Sequence, residues 1–192
     1  MMQTKPTLHS TTHRTPVGDL TLIASDQGLR AILWPKLSPL KAGIHPRPHR
    51  NSEHPILVKT AAQLDEYFTG SRTRFDIPLD LQGTRSQLAA WRSLADIPFG
   101  ATTSYGRQAA ALGIPKAARA VGAANGANPV CIVLPCHRVI GANGSLTGFG
   151  GGLPTKQWLL DHEARVVASS IVSTPEWQQQ EPVQTRLSMP VA

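Results

Sequence analysis

Residues 104–126 read SYGRQAAALGIPKAARAVGAANG. Ser104 offers a side-chain acceptor ahead of a helix-forming run, Tyr105 to Leu112, and Gly113 supplies the left-handed stop. Pro115 suits the first position of a second helix, expected to run to about Asn125 and to end at Gly126. Two short helices joined through Gly113-Ile114-Pro115 make a helix-turn-helix. The second helix is nearly bare, with Ala117, Ala118, Ala120, Ala123 and Ala124 along it. A helix that reads the major groove needs Asn, Gln or Arg aimed at base edges. A bare helix can instead approach the narrower minor groove closely and grip without sequence preference. The competing reading is an alanine-rich helix packed in a core, and Lys116, Arg119 and Asn125 count against it.

Working outward, Thr84 with Gln87 forms a capping box for a helix carrying Leu88, Trp91, Leu94 and Ala95. Val130 to Leu134 is a short buried apolar run ended by Pro135, and Pro154 starts a last helix reaching about Glu163. Upstream, Val17 to Trp34 alternates like two strands around the turn Asp26-Gln27-Gly28. Pro55 starts a helix with Leu57, Ala61, Leu64 and Phe68 on one face and Gly70 at its end, and Phe75 to Leu81 looks extended. Residues 1–14 are polar and expected to be ragged. Residues 35–55 carry five prolines together with His45, His49 and His54, and are expected to form a surface loop. These histidines show no regular ligand spacing, so no metal is expected. The chain is therefore α/β. An N-terminal sheet-plus-helix domain is expected over 1–83, a mostly helical domain over 84–164 and a disordered tail over 165–192.

Composition is that of an ordinary globular protein, with 41% hydrophobic residues. Nineteen Lys and Arg against 12 Asp and Glu give a net charge of +7, which suits a polyanionic partner. The excess is also segregated. From Ile97 to Leu160 there is no acid, whereas Arg107, Lys116, Arg119, Arg138 and Lys156 lie in that span. A solvated face mixes signs, but a surface that meets phosphates drops its acids. Two cysteines, Cys131 and Cys136, are too few for a disulfide framework. No secretory h-region and no membrane-length apolar run is visible, so a cytoplasmic, soluble protein without a membrane partner is expected.

Cys131-Ile132-Val133-Leu134 leads directly into Pro135-Cys136-His137-Arg138, after which Val139-Ile140 is apolar again. Reactive and charged side chains inside a buried stretch are costly unless they line a pocket. Cys131 reads as a small buried hydrophobe. Cys136 reads as a nucleophile, its thiolate favoured by neighbouring basic groups. Adjacent side chains do not share a face, so His137 is expected to act on Cys136 through a water or a turn. A carboxylate must orient that imidazole from afar, and Asp161 and Glu163 are the nearest candidates.

Ile97-Pro98-Phe99-Gly100, Ser104-Tyr105, Lys116 to Gly122, Asn128-Pro129-Val130, Pro135 to Val139, Gly148 to Leu153 and Leu159 to Glu163 together resemble the methylated-DNA–protein-cysteine methyltransferases, the 6-O-alkylguanine repair proteins. The resemblance is close over 84–164 and loose over 15–83. It implies a ribonuclease H-like N-terminal domain and a winged helix-turn-helix-like C-terminal domain. It further implies that Cys136 accepts an alkyl group from 6-O-alkylguanine, and from 4-O-alkylthymine, once per molecule and without a cofactor. His137 would take the thiol proton through water, with Glu163 holding its tautomer. Tyr105 would bond the flipped base and Arg119 would fill the stack it leaves. Asn128 would tie the recognition helix to the active-site turn. Lys156, Phe149 and Gly150 would wall the alkyl pocket. Lys116, Ala118 and Arg138 would lie on the DNA side. The partner is double-stranded DNA met through its minor groove, by a monomer.

Ser86 stands where relatives carry an aromatic, and Phe149 where they often carry Tyr. The family's structural zinc is not expected, because Cys131 is the only spare thiol. Rival readings are a lesion sensor, which would lack the acceptor Cys136, a Cys-His hydrolase, which would need an oxyanion hole, and a helix-turn-helix regulator, which would need no reactive cysteine.

Overall fold

The computed structural model describes residues 6–35, 37–40 and 42–172. Its N-terminal sheet has the order β3-β2-β1-β4, from β1 (His9–Thr15), β2 (Gly18–Ser25), β3 (Gly28–Leu33) and β4 (His49–Arg50). β1 and β2 pair antiparallel with His9 opposite Ala24, and β4 joins β1 in parallel. The stretch expected to be ragged thus contains a strand. Its Thr and His residues are compatible with strand geometry but carry no apolar alternation. Pairing with β2, not their own pattern, orders them.

Helix α1 (Pro55–Thr69) packs on this sheet, with Pro55 in its first turn and Gly70 at φ 81° closing it. It buries Leu57, Leu64 and Tyr67 against Leu20, Leu22, Ala24 and Ile32. The extended segment near Leu79 runs beside β3, where Leu29 N–H donates to Pro78 O at 2.8 Å and Asp80 N–H to Leu29 O at 2.9 Å.

The C-terminal half holds α2 (Arg85–Ser93), α3 (Tyr105–Ala111), α4 (Ala118–Gly126) and α5 (Leu153–Val172). A two-residue parallel pair, β5 (Thr103–Ser104) with β6 (Val139–Ile140), joins the start of α3 to the chain after Cys136. Thr84 and Gln87 make the reciprocal capping box of α2, and the Ser104 side chain accepts from Arg107 N–H at the start of α3. The fold is α/β with a helix-turn-helix formed by α3 and α4.

Three further expectations change. Pro115 lies in a turn where Ala117 N–H donates to Ile114 O at 2.8 Å, so α4 starts at Ala118 rather than at the proline. Asn125 does not face outward. It is buried, and its amide donates to Gln108 Oε1 at 2.7 Å while Gln108 donates to Ala90 O at 3.1 Å, linking α4, α3 and α2. The last helix continues beyond Glu163 to Val172, into what was read as tail. Val166 packs over Gly70 and Val167 over Gly100, contacts that a sequence period cannot reveal. The rest of the expected tail, 173–192, lies outside the described residues.

One apolar cluster unites both halves. Leu20, Leu22 and Leu64 share it with Trp91, Leu94, Leu159 and the run Val130 to Leu134. That run is a tight turn, in which Leu134 N–H donates to Val130 O at 3.0 Å and Ile132 adopts φ 74°. Among the described residues no helix is long and apolar enough to cross a membrane.

Replacing Asn125 by Ala leaves the buried Gln108 amide short of a partner, a loss of about 1–3 kcal/mol. Urea unfolding of Asn125→Ala should show that loss, whereas exposed Ser86→Ala should stay within about 0.5 kcal/mol of the parent.

Candidate active site

The site is built on the turn that follows α4. Asn128 is buried, and its side-chain amide donates to Leu134 O at 2.8 Å while its Oδ1 accepts from Val130 N–H at 3.1 Å. The turn is pinned to the end of the recognition helix, because Asn128 N–H donates to Asn125 O at 3.1 Å. Pro135 ends the run, and Cys136–Arg138 form a single 3₁₀ turn with all three residues buried. Cys136 keeps 6% of its surface exposed, so it is almost wholly withdrawn from solvent.

Behind Cys136 lies a saturated carboxylate. Glu163 of α5 is fully buried; its Oε1 accepts from Tyr67 Oη at 2.9 Å and from His137 Nε2 at 2.8 Å. Its Oε2 accepts from Gly100 N–H at 2.9 Å, and Arg138 donates to both oxygens. Burial works to raise the Glu163 pKa, but the hydrogen bonds and charges of His137 and Arg138 pull it down to about 2. Glu163 is therefore a carboxylate, which can only accept, so His137 carries its proton on Nε2. Its Nδ1 is then a lone pair, buried and without a hydrogen-bond partner. Burial lowers the His137 pKa and outweighs the opposing pull of Glu163. Neutral imidazole beside the Arg138–Glu163 pair leaves the buried group uncharged overall. It presents a base, not an acid, to its surroundings.

The Cys136 thiol is itself lowered below its ordinary value. The largest cause is a hydrogen bond from the Cys131 thiol; burial opposes it, and the Asn128 amide and the Lys156 charge add to it. Cys131 is correspondingly raised, through that same hydrogen bond and its burial. Cys131 is thus more than the inert filler read from sequence. Lys156 is fully buried and donates to Val139 O at 2.7 Å and Thr147 O at 2.9 Å. Burial lowers its pKa, and Cys136 opposes that shift.

The rim brings most of the other expected residues together. Half-buried Tyr105 donates to Thr147 O at 3.4 Å, with the Lys156 ammonium 5.8 Å from its ring centre. Phe149 packs edge-on against Trp34 and faces the His137 ring. Gly150 and Gly151 cross Trp34 so closely that a Cβ would come within 3.2 Å and 2.9 Å of the indole. Lys116 and Arg119 are exposed beside half-buried Ala118 on the helix-turn-helix. Arg138 is the exception. It was placed on the DNA side, but it is 5% exposed, chelates Glu163 and donates to Ile97 O at 2.6 Å. An arginine with a fixed buried carboxylate is not free to meet phosphate.

Sequence reasoning passed over Tyr67 and Trp34. Tyr67 stands on the apolar face of α1, three residues after Leu64, and a phenol buried there needs an acceptor. That requirement was the available signal. The indole of Trp34 had none, since it follows a strand and reads as core.

A buried thiol with a lowered pKa, next to an imidazole oriented by a carboxylate and joined to a helix-turn-helix, is the arrangement that cysteine-dependent group-transfer and hydrolytic centres require. Comparison narrows the class. Residues 8–81 match the ribonuclease-like domain of 6-O-methylguanine DNA methyltransferase and residues 85–165 match its DNA-binding domain. The chain is 48% identical over 157 residues to a methylated-DNA–protein-cysteine methyltransferase of Mycolicibacterium paratuberculosis, covering 81% of this chain and 92% of that one. It is 43% identical over 156 residues to the protein of that name from Shigella flexneri, covering 78% and 91%. The crystal structure of Mycobacterium tuberculosis OGT in complex with DNA superposes with TM-score 0.72 at 43% identity, covering 82% of this chain and 94% of that chain. The chain belongs to the 6-O-methylguanine DNA methyltransferase family.

Glu163 should govern acid stability. Its pKa falls from an ordinary 4.5 to about 2 on folding. Its contribution is therefore fully present above about 4.5 and is lost as the pH drops toward 2, by roughly 3 kcal/mol. Urea unfolding across that window should show the loss in the parent. In Glu163→Gln, the titrating carboxylate is gone and this segment of the pH profile should flatten. Glu163→Gln should also be less stable at neutral pH by about 3–5 kcal/mol, because Arg138 stays buried without its counter-charge.

Proposed function

We propose that this protein repairs duplex DNA by moving an alkyl group from 6-O-alkylguanine, and from 4-O-alkylthymine, onto Cys136, once per molecule. The observation that carries this reading is a buried cysteine with a lowered pKa beside His137, whose Nε2 is held by Glu163 and whose Nδ1 lone pair is unengaged. The Cys136 proton passes through a water to His137 Nδ1. The thiolate then attacks the alkyl carbon, so the S–C bond forms as the C–O6 bond breaks. Guanine leaves as an anion at O6, and the Tyr105 hydroxyl stabilises it. The electrophilic carbon arrives with the substrate, so the step uses no cofactor.

The target atom is inside the base stack and must be flipped out. Arg119, exposed at the start of α4, fills the gap, while Ala118 and the other alanines let α4 approach the minor groove. Lys116 meets the phosphates, and Phe149, Gly150 and Lys156 wall the alkyl pocket. Binding is by a monomer, with little sequence preference and steep salt dependence. A lesion sensor would have no use for Cys136, and a hydrolase would need an intermediate that water can open. A thioether has no leaving group good enough for that.

Peptide mapping by mass spectrometry after incubation with alkylated duplex should find the added alkyl mass on the Cys136 peptide. Cys131→Ser should retain transfer, because its hydroxyl can still donate a hydrogen bond and the acceptor thiol of Cys136 is untouched. Cys136→Ser should bind DNA and transfer nothing; transfer surviving in it would end the proposal. Arg119→Ala should slow duplex repair at least tenfold and leave reaction with free 6-O-alkylguanine base unchanged. Equal slowing on both substrates would remove Arg119 from the stack-filling role.

A further inference from the structure

We infer that Cys131 and Cys136 are a redox pair, in which hydrogen peroxide closes a reversible disulfide and Cys131 acts as the resolving thiol. The backbone folds the two together. Leu134 N–H donates to Val130 O at 3.0 Å and Cys136 N–H to Leu134 O at 2.8 Å, while Cys131 and Leu134 form a parallel bridge. The chain therefore turns back on itself between the two cysteines. Asn128 holds both side chains, since its O accepts from Cys131 Sγ at 3.4 Å and its amide donates to the Cys136 sulfur. The two thiols are hydrogen-bonded to each other, and both are free. Sulfur atoms within hydrogen-bond reach need only a small closing movement to join. Two cysteines are too few for a structural framework, but one pair suffices for a bond that is made and broken.

Their surroundings divide the roles. Cys136 has the lowered pKa, so it supplies the thiolate that peroxide oxidises. Cys131 is raised, through the hydrogen bond to Cys136 and its burial, and keeps its proton. The Cys136 thiolate attacks one peroxide oxygen, so the S–O bond forms as the O–O bond breaks. The hydroxide that leaves recovers, as water, the proton that Cys136 had given up. Cys131 then attacks the sulfur of the sulfenic acid. The S–S bond forms, the S–O bond breaks, and the departing hydroxide takes the Cys131 proton. Two thiols and one peroxide thus give one disulfide and two waters. An external dithiol reverses the change by attacking Cys131, because the Cys136 thiolate, of lower pKa, is the better leaving group. Without a resolving thiol the sulfenic acid is open to oxidation to sulfinic acid, which thiols do not reverse. The disulfide stands on these contacts alone, whereas its consequence for repair rests on the alkyl-transfer reading above. A route that brings an alkylated base to Cys136 also admits the smaller peroxide, and a sulfur held in a disulfide cannot accept an alkyl group.

The test treats the full chain with hydrogen peroxide at neutral pH and reads its intact mass and, after denaturation, the thiols left to label. The parent should stay monomeric, lose the mass of two hydrogen atoms and label at neither cysteine. Its transfer from alkylated duplex should fall at least tenfold and return with dithiothreitol. In Cys131→Ser the same treatment should add oxygen to Cys136, and dithiothreitol should not restore the transfer shown by that variant's untreated sample. If the serine variant fails to fold, Cys131→Ala takes its place. Oxygen on Cys136 of the parent with Cys131 still free to label, or recovery as complete without Cys131 as with it, overturns the pair. The mass readout needs no transfer, so a parent that forms the disulfide but repairs nothing would refute the alkyl-transfer reading and leave the pair standing.

Discussion

Everything around Cys136 depends on one buried charge. A carboxylate removed from water costs several kcal/mol unless a counter-charge and hydrogen bonds replace its hydration. Glu163 receives that replacement from Tyr67 in the N-terminal domain, from the Gly100 backbone, and from His137 and Arg138 in the turn carrying Cys136. The carboxylate therefore fixes three things together: the docking of α1 on α5, the conformation of the 135–138 turn and the tautomer of His137. Each donor would be a destabilised orphan without the others. The fold does not merely surround the site, since the same hydrogen bonds hold both.

The second constraint is the separation of surface from chemistry. Acids are missing from Ile97 to Leu160, and the bases in that span divide into two kinds. Arg107, Lys116 and Arg119 are exposed, whereas Arg138 and Lys156 are buried, one on a carboxylate and one on backbone carbonyls. The exposed three shape the potential a polyanion meets. The buried pair adds to the lowering of two pKa values, Arg138 alongside His137 at Glu163 and Lys156 alongside Cys131 and Asn128 at Cys136. Asn128 and Asn125 connect the two regions, because the turn bearing Cys136 hangs from the end of α4.

Local signals were legible in sequence. The capping box at Thr84 and Gln87, the Ser104 cap and the Gly70 stop each depend on residues within a few positions, and all three stand in the structure. Cys136 and His137 stood out because such residues are costly in an apolar run, and an imidazole in need of an acid pointed to Asp161 or Glu163, between which the resemblance chose; in the structure Glu163 accepts from His137. What escaped depends on distant partners. β1 is ordered by β2, Asn125 is buried by Gln108, and Arg138 is withdrawn from the surface by a residue 25 positions away. Tyr67 acts across 96 residues. No pattern along the chain encodes such pairings, although a phenol on an apolar face does ask for one.

The central claim is that Cys136 is consumed by its own reaction, and a titration of product against protein tests it most directly. With alkylated duplex in large molar excess, the account predicts that repaired base rises to one equivalent per molecule of protein and stops, however long the incubation. Product that continues to accumulate beyond one equivalent would contradict it.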